Sequence, residues 1–470
     1  MVSIINLSWL LIGLYTLYFL LFQKKKNVLL FLTIIVLFVP KVNLISIGSI
    51  STGIRVDDFI IALAFIYILF TRRITANHAV NRFAKLLSLV CLANLCSVLF
   101  SILFLDNNNL LWAGLVLARK IEYFVLIYVG YFAFSDRPAE ERDAVLFREL
   151  SVLNCALFLL AFLQMQGLCG YVIKGELRAT FSRAAVGTFN GYYEYALFLC
   201  FSNIFYFFAF ANRKRKVFPA LMFLATVAFI YWSSSRTSLL VTLLIDLILI
   251  IRWVTHLPVR KAPVAGVSCV LVGVVGLLVV SQRSLISDSR LGSITLEGLW
   301  KTLKTNWDNA SFEVYLNYFN YDSDIDLHIS TGGDLSAALR FYKWGAVFKQ
   351  FLKYPLLGYG FGVSNVVDGN YIRLLGETGI IGTFLWLYLL FSVLKFERKA
   401  TDRMAPVCVF ATVALLLNSI LIDSFESSKN MEFYWFLIGC SVRRNCGIKS
   451  ETGLEGTDTN NLIDSSSLPS

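Results

Sequence analysis

Five ionisable residues stand out by type and setting. They are Arg178 and Arg183 in GELRATFSRAAVGTFNGYYEYALFL, Arg236 in SSSRTSLL, Arg340 in AALRFYKWGAVF and Asp368 in VVDGNYIRLLGETG. A guanidinium presents a planar donor fork that matches phosphate bidentately. Four arginines with one carboxylate therefore point to a site for a phosphorylated, lipid-linked ligand. Each residue also has a plainer reading. Arg236 suits an interfacial anchor that snorkels outward, one of Arg178 and Arg183 suits a loop salt bridge, and Asp368 suits a helix N-cap. Arg340 opens an amphipathic stretch to Tyr354, with Trp344, Val347 and Phe351 at helical spacing. That pattern fits a helix lying on a membrane as well as it fits catalysis.

Metal chemistry has little to stand on. His78, His256 and His328 are far apart, and the nine cysteines mostly sit inside apolar runs with no CxxC pair. They read as small packing residues rather than ligands or disulfides. Asp322, Asp324 and Asp326 resemble the start of a calcium loop but lack its Gly and terminal Glu. No metal or cofactor is expected.

The elements that must position these residues are apolar. Of 470 residues, 57% are hydrophobic, 15% aromatic and only 16% charged, and the mean hydropathy is +0.67. Soluble domains carry about a quarter charged residues, so a soluble enzyme, a disordered chain and a nucleic-acid module are excluded. Apolar runs near 4–22, 27–47, 57–71, 81–104, 110–134, 143–165, 191–211, 217–233, 237–253, 264–281, 372–396, 404–423 and 427–442 predict an all-α polytopic membrane protein of about 12–13 spans. The first run has no basic n-region or small-residue cleavage site, so it reads as a span rather than a signal peptide.

The net charge of +11 fits basic residues collected in alternate connections, from Lys24-Lys25-Lys26 to Arg443-Arg444. By the positive-inside rule this places the C-terminus in the cytoplasm and the N-terminus outside. The expected organisation is N-terminal spans over 1–281, a long external loop over 282–371, C-terminal spans over 372–442 and a disordered cytoplasmic tail over 443–470. Among residues inside the apolar runs, Asp57-Asp58 after Arg55 and Arg119-Lys120 with Glu122 are costly in lipid. Arg119 or Lys120 is expected to pair with Glu122 or Asp58.

From Arg340 onward the chain resembles the O-antigen ligase and polymerase superfamily. The resemblance is carried by Arg340, Trp344, Pro355-Leu356-Leu357-Gly358-Tyr359-Gly360 and Glu377-Thr378-Gly379-Ile380-Ile381-Gly382, with Ser233-Ser234-Ser235-Arg236 and RVDDFIIAL earlier in the chain. It implies a metal-independent GT-C-like membrane glycosyltransferase on the periplasmic face of a bacterial inner membrane. The donor would be a glycan on undecaprenyl pyrophosphate. Arg236 and Arg340 match the family's functional arginines by motif. Asp368 stands where the ligases carry a His, which favours a Wzy-type polysaccharide repeat-unit polymerase over a ligase acting on lipid A core. A lipid-linked glycan transporter ranks behind both, since no internal repeat is visible.

On that reading Arg236 and Arg340 stabilise the leaving pyrophosphate, with Arg178 or Arg183 as a second clamp. Asp368 is the general base, with Glu377 or Glu194 as alternatives. Trp344, Tyr192, Tyr193 and Tyr359 are candidates to stack on sugar faces. The implied partners are the lipid-linked glycan, the bilayer, and a chain-length regulator and flippase of the same pathway; no nucleic acid is expected.

Overall fold

The computed structural model describes residues 3–22, 27–46, 53–71, 78–105, 110–134, 139–173, 176–178, 184–212, 216–255, 296–315, 335–361, 367–400 and 403–453. In chain order the elements begin with α1 (Ile4–Phe22), α2 (Val28–Phe38), β1 (Asn43–Ser46), β2 (Gly53–Arg55), α3 (Val56–Thr71), α4 (His78–Phe104), α5 (Leu110–Ala133) and α6 (Ala139–Met165). Next come β3 (Tyr171–Ile173), β4 (Glu176–Arg178), α7 (Tyr192–Asn212), α8 (Val217–Trp232), α9 (Arg236–Thr255), α10 (Leu296–Asn309) and α11 (Leu335–Lys353). The last are α12 (Asn370–Arg398), α13 (Ala405–Asn418), a 3-10 turn at Ser424–Glu426 and α14 (Ser428–Gly453). The strands form two short antiparallel hairpins, β1–β2 and β3–β4.

The fold is that of a membrane-embedded helical protein. Among the described residues, six helices are long and apolar enough to cross a bilayer: α1, α4, α6, α7, α9 and α12. Three shorter apolar helices, α2, α8 and α13, accompany them. On α4, Leu89, Leu92, Leu99 and Leu103 are all exposed, a continuous apolar face suited to lipid. The run at 264–281 lies outside the described residues. The apolar run 27–47 is not one long helix. Val39 leaves the helical region at ψ 129° because Pro40 disfavours helix in the residue before it, and the chain turns into β1. At the other end, α14 continues to Gly453, past the boundary at Arg443 expected for the tail. Adding residues to a formed helix costs far less than nucleating one. Residues 454–470 lie outside the described residues.

Helix ends gather at one end of the bundle. Asn370 N, opening α12, donates to Ser419 O at the foot of α13, and Ala185 N donates to Trp232 O at the end of α8. Gln164 in the last turn of α6 holds Gly187, accepting from its N–H and donating to its carbonyl. Ile4 of α1 packs with Cys169 and Val172. α4 runs antiparallel to α12, since Ser97 Oγ donates to Glu377 O while Phe83 meets Phe396 edge-on at 5.4 Å. α7 is the central helix, buried without a break from Tyr195 to Phe207.

α5 and α14 run parallel and touch backbone to backbone. A Cβ on Gly439 would lie 2.9 Å from Tyr131 N, and one on Gly130 would lie 3.1 Å from Cys440 N. Small residues let membrane helices approach this closely, where packing and polar contacts replace the hydrophobic drive. The pair is pinned by Lys120, whose Nζ lies 2.6 Å from Glu426 Oε1 and donates to Phe425 O. The ammonium also sits 4.9 Å from the Trp386 ring centroid. The pairing expected for Lys120 is thus corrected: its partner is Glu426, and Arg119 donates to Gly53 O at 3.2 Å. Neither Glu122 nor Asp58 is a direct partner, because the α14 end and the β2 strand reach the two cations first.

Lys120→Ala is expected to destabilise the fold by about 2–4 kcal/mol, since it strands the Glu426 carboxylate, whose side chain is only 16% exposed, without its partner. Lys120→Met combined with Glu426→Leu should regain most of that. Thermal unfolding of the purified variants in detergent measures both, and equal losses from the single and double variants would contradict the pairing.

Candidate active site

The motif segments meet physically. α12 is broken at Gly379, which takes φ 64°, ψ −164°. A break inside a membrane helix frees backbone groups that must find partners. Here they find the Pro355–Gly360 turn. Tyr359 N donates to Gly376 O and Gly360 N to Glu377 O, while Ile380 N donates to Pro355 O and Ile381 N to Leu356 O. Gly358 has φ 73°, and a Cβ there would lie 2.6 Å from Gly376 O. A Cβ on Gly379 would lie 2.7 Å from Gly358 N. The two glycine-rich motifs are therefore the two halves of one contact, which fixes α11 against the start of α12.

Asp368 lies farther back, beside the first turns of α11 and just before α12. Its Oδ2 lies 3.6 Å from Arg340 Nε and 3.7 Å from Lys343 Nζ, both on α11. The main chain at Asp368 is held by the Trp344 indole, which donates to the Asp368 carbonyl. Asp368 does not cap α12. The N-cap is Gly369, with no side-chain hydrogen bond. The Asp368 side chain is 40% exposed and that of Arg340 22%, so both are accessible. Both ion-pair separations exceed hydrogen-bond length, and Arg340 Nε has no hydrogen-bond partner among the described residues. The amphipathic face of α11 does not lie on a membrane: Val347 and Phe351 are buried, because α10 and α12 pack against it.

Behind Asp368 lies a rigid polar frame. Asn370 bonds Asp423 through Nδ2 and accepts from Phe425 N at 2.8 Å through Oδ1. Arg373 pairs with Asp423, and its Nε donates to Glu377 Oε1 at 3.0 Å. Glu377 is therefore buried under Arg373 and separated from Asp368, in a framework position.

The opening of α7 comes in from the other side. Tyr192 and Tyr193 share a hydrogen bond at 2.7 Å, and Tyr192 lies within electrostatic range of Arg340 and Asp368. Glu194 accepts from Asn190 N at 3.4 Å, and its carbonyl accepts from Asn430 Nδ2. Lys429 donates to both oxygens of Thr188 and sits 4.6 Å from the Phe189 ring centroid.

The structure brings Arg340, Asp368 and Trp344 together, with Tyr192 close by. Arg236 is exposed at the first residue of α9. No contact joins it to Arg340 or Asp368 among the described residues. It shares their end of the bundle through Ser235 Oγ to Ser238 Oγ to Asn418 Oδ1, next to the Ser419–Asn370 contact. Arg178 is exposed on β4, and Arg183 lies outside the described residues. Sequence reading passed over Lys343, although it stands one helical turn from Arg340, a spacing that puts both on one face. It also passed over Arg373, Asp423, Lys41, Lys429 and Glu432. Among the described residues no group of three or more His, Cys, Asp or Glu side chains is arranged to hold a metal ion.

Chemically, the arrangement offers two fixed cations beside an accessible carboxylate, on a rigid frame with aromatic hydroxyls opposite. Such a site can bind an anionic group and take a proton from a neighbouring hydroxyl. No protein-family model and no curated protein matches the chain.

Proposed function

We propose that the protein is a membrane glycosyltransferase of the repeat-unit polymerase type. It would extend oligosaccharides carried on undecaprenyl pyrophosphate into O-antigen, capsular or exopolysaccharide at the periplasmic face of a bacterial inner membrane. The observation that carries the reading is the meeting of Arg340, Lys343 and Asp368 where α11 comes against the start of α12, the two helices whose glycine motifs resemble those of the superfamily.

The chemistry follows from the charges. The acceptor hydroxyl oxygen attacks the anomeric carbon of the donor, and the bond from that carbon to the pyrophosphate oxygen breaks. The leaving pyrophosphate keeps the electron pair, so negative charge grows on its oxygens. Arg340 and Lys343 lie where a preorganised pair of cations stabilises that charge without rearranging. Asp368 takes the proton from the acceptor hydroxyl. Its two long ion pairs leave an oxygen available for that proton, and Trp344 fixes the main chain that carries it. Arg236, on the same end of the bundle, is assigned to the distal phosphate.

The test is the glycan profile of cells deleted for the gene. The polymerase reading expects single repeat units on their usual acceptor, with the ladder restored by the wild-type gene and not by Arg236→Ala. Full-length polymer held on the lipid carrier would instead identify a ligase, and an unchanged profile would overturn both.

A further inference from the structure

A second set of polar groups lies next to this site and takes no part in the chemistry above. Arg55 ends β2 and is 3% exposed. Its Nε and Nη2 have no hydrogen-bond partner among the described residues. The facing carboxylate oxygens, Asp57 Oδ1 and Asp58 Oδ1, stand 3.6 and 3.7 Å away, beyond hydrogen-bond reach, and are themselves unpartnered. Glu122 Oε2 on α5 and Glu432 Oε2 on α14 are unpartnered as well among the described residues. Both acids are within electrostatic range of Arg55.

Three of these carboxylates are tied on their far sides. Asp58 Oδ2 accepts from Arg55 N at 2.8 Å, Lys41 bonds Asp57 Oδ2, and Lys41 Nζ lies 2.8 Å from Glu432 Oε1. The unpaired oxygens of Asp57, Asp58 and Glu432 are thus held in place by contacts made on their far sides. Buried donors and acceptors are normally satisfied, so their convergence marks a place for a ligand that carries both kinds of group. The rim is open: the Asp58 side chain is 23% exposed, and Arg119 and Glu122 are half-buried.

The charge balance selects the ligand. Lys41, Arg55, Arg119 and Lys429 face Asp57, Asp58, Glu122, Glu194 and Glu432, four cations against five carboxylates. An anion would be set directly against the Asp57 and Asp58 carboxylate oxygens, and a metal ion would leave the Arg55 N–H groups unpaired. Vicinal hydroxyls fit both requirements, since each oxygen accepts from the guanidinium while its hydrogen goes to a carboxylate. This cluster also adjoins the Asp368 centre, because one turn of α7 borders both: Glu194 is within electrostatic range of Arg55 and Lys41, and Tyr192 within that of Arg340 and Asp368.

We propose that Arg55, Asp58, Glu122 and Glu432 form a subsite for the vicinal hydroxyls of a neutral sugar. Its role in holding the acceptor glycan rests on the polymerase reading above. The experiment is saturation-transfer NMR on the full chain in lipid nanodiscs, using a panel of neutral hexoses, deoxyhexoses and N-acetylhexosamines, with inorganic pyrophosphate as the anionic probe. At least one sugar should bind saturably. Glu122→Ala should weaken that binding roughly tenfold or more, the loss of a hydrogen bond to a charged group, and leave pyrophosphate binding unchanged.

Thermal unfolding checks that the variant is folded. Glu122→Gln, which keeps the shape and offers a donor in place of an acceptor, serves if the alanine variant is not. The inference is overturned by no saturable sugar binding across the panel, by sugar binding that both variants retain, or by an experimental density map with ordered water only in the cluster. Failure of the polymerase reading looks different: sugar binding sensitive to Glu122, with an unchanged glycan profile in deleted cells. Conversely, loss of polymer in Arg340→Ala with Glu122 variants binding like wild type removes the subsite alone.

Discussion

On the proposed polymerase function, Arg340→Ala is expected to abolish polymer while the protein accumulates to its normal level. Arg340 sits at the rim of the packed α11 face with its side chain 22% exposed, so the space left by truncation opens to solvent rather than forming a closed core cavity. On that function, what is lost is charge opposite the leaving pyrophosphate. Removing one preorganised donor from such a site costs about a hundred- to a thousandfold in rate, enough to erase a ladder built by repeated transfer. Arg340→Lys recovers little, because a point charge on a flexible stem replaces a planar fork. Lys343→Ala gives a smaller defect, since Lys343 contributes a single charge and Arg340 remains. Gel profiling of surface glycan together with immunodetection of the membrane fraction measures all three. A normal ladder from Arg340→Ala would remove that residue from the site.

Gly358→Val has the largest structural effect. The residue holds φ 73°, where a β-branched side chain is strained, and its Cβ would strike the Gly376 and Glu377 carbonyls. Those carbonyls are the ones freed by the break at Gly379 and satisfied by Tyr359 N and Gly360 N. Pushing the turn away both strains the backbone and exposes four hydrogen bonds at the α12 break. The variant is expected to be lost from the membrane fraction. Tyr359→Phe, which leaves the backbone pairing intact, should accumulate normally. Accumulation of Gly358→Val at wild-type level would contradict the reciprocal contact.

These two predictions draw on features that were legible to different degrees. The apolar runs disclose a membrane-embedded helical protein directly, because length and hydropathy are local properties. The glycine motifs are visible as patterns, but their meaning is not: only the structure pairs Gly358 with Gly376 and Glu377, and shows that the motif closes a broken helix. Arg340 and Asp368 are legible as candidates and come together, while Lys343 was within reach through its helical spacing from Arg340.

The buried ionic frame is a different matter. Lys41 and Glu432 stand 391 positions apart, and Lys120 and Glu426 stand 306 apart. No periodicity links such pairs, and a local rule assigns Lys120 to the acid nearest in sequence, Glu122. Glu377 shows the converse. Its motif setting suggests a ligand contact, yet Arg373 one helical turn away claims its carboxylate, and packing decides the matter.

In the proposed function the Arg340–Lys343–Asp368 cluster transfers a glycan from a pyrophosphate carrier. The most direct measurement reconstitutes the purified full-length protein in liposomes with undecaprenyl-pyrophosphate-linked repeat units as sole substrate and follows product length by gel. A ladder is expected in the absence of added nucleotide sugar, lost in Arg340→Ala and in Asp368→Asn. A ladder that persists in both variants would contradict the assignment of the site, and no ladder from active wild-type protein would contradict the polymerase itself.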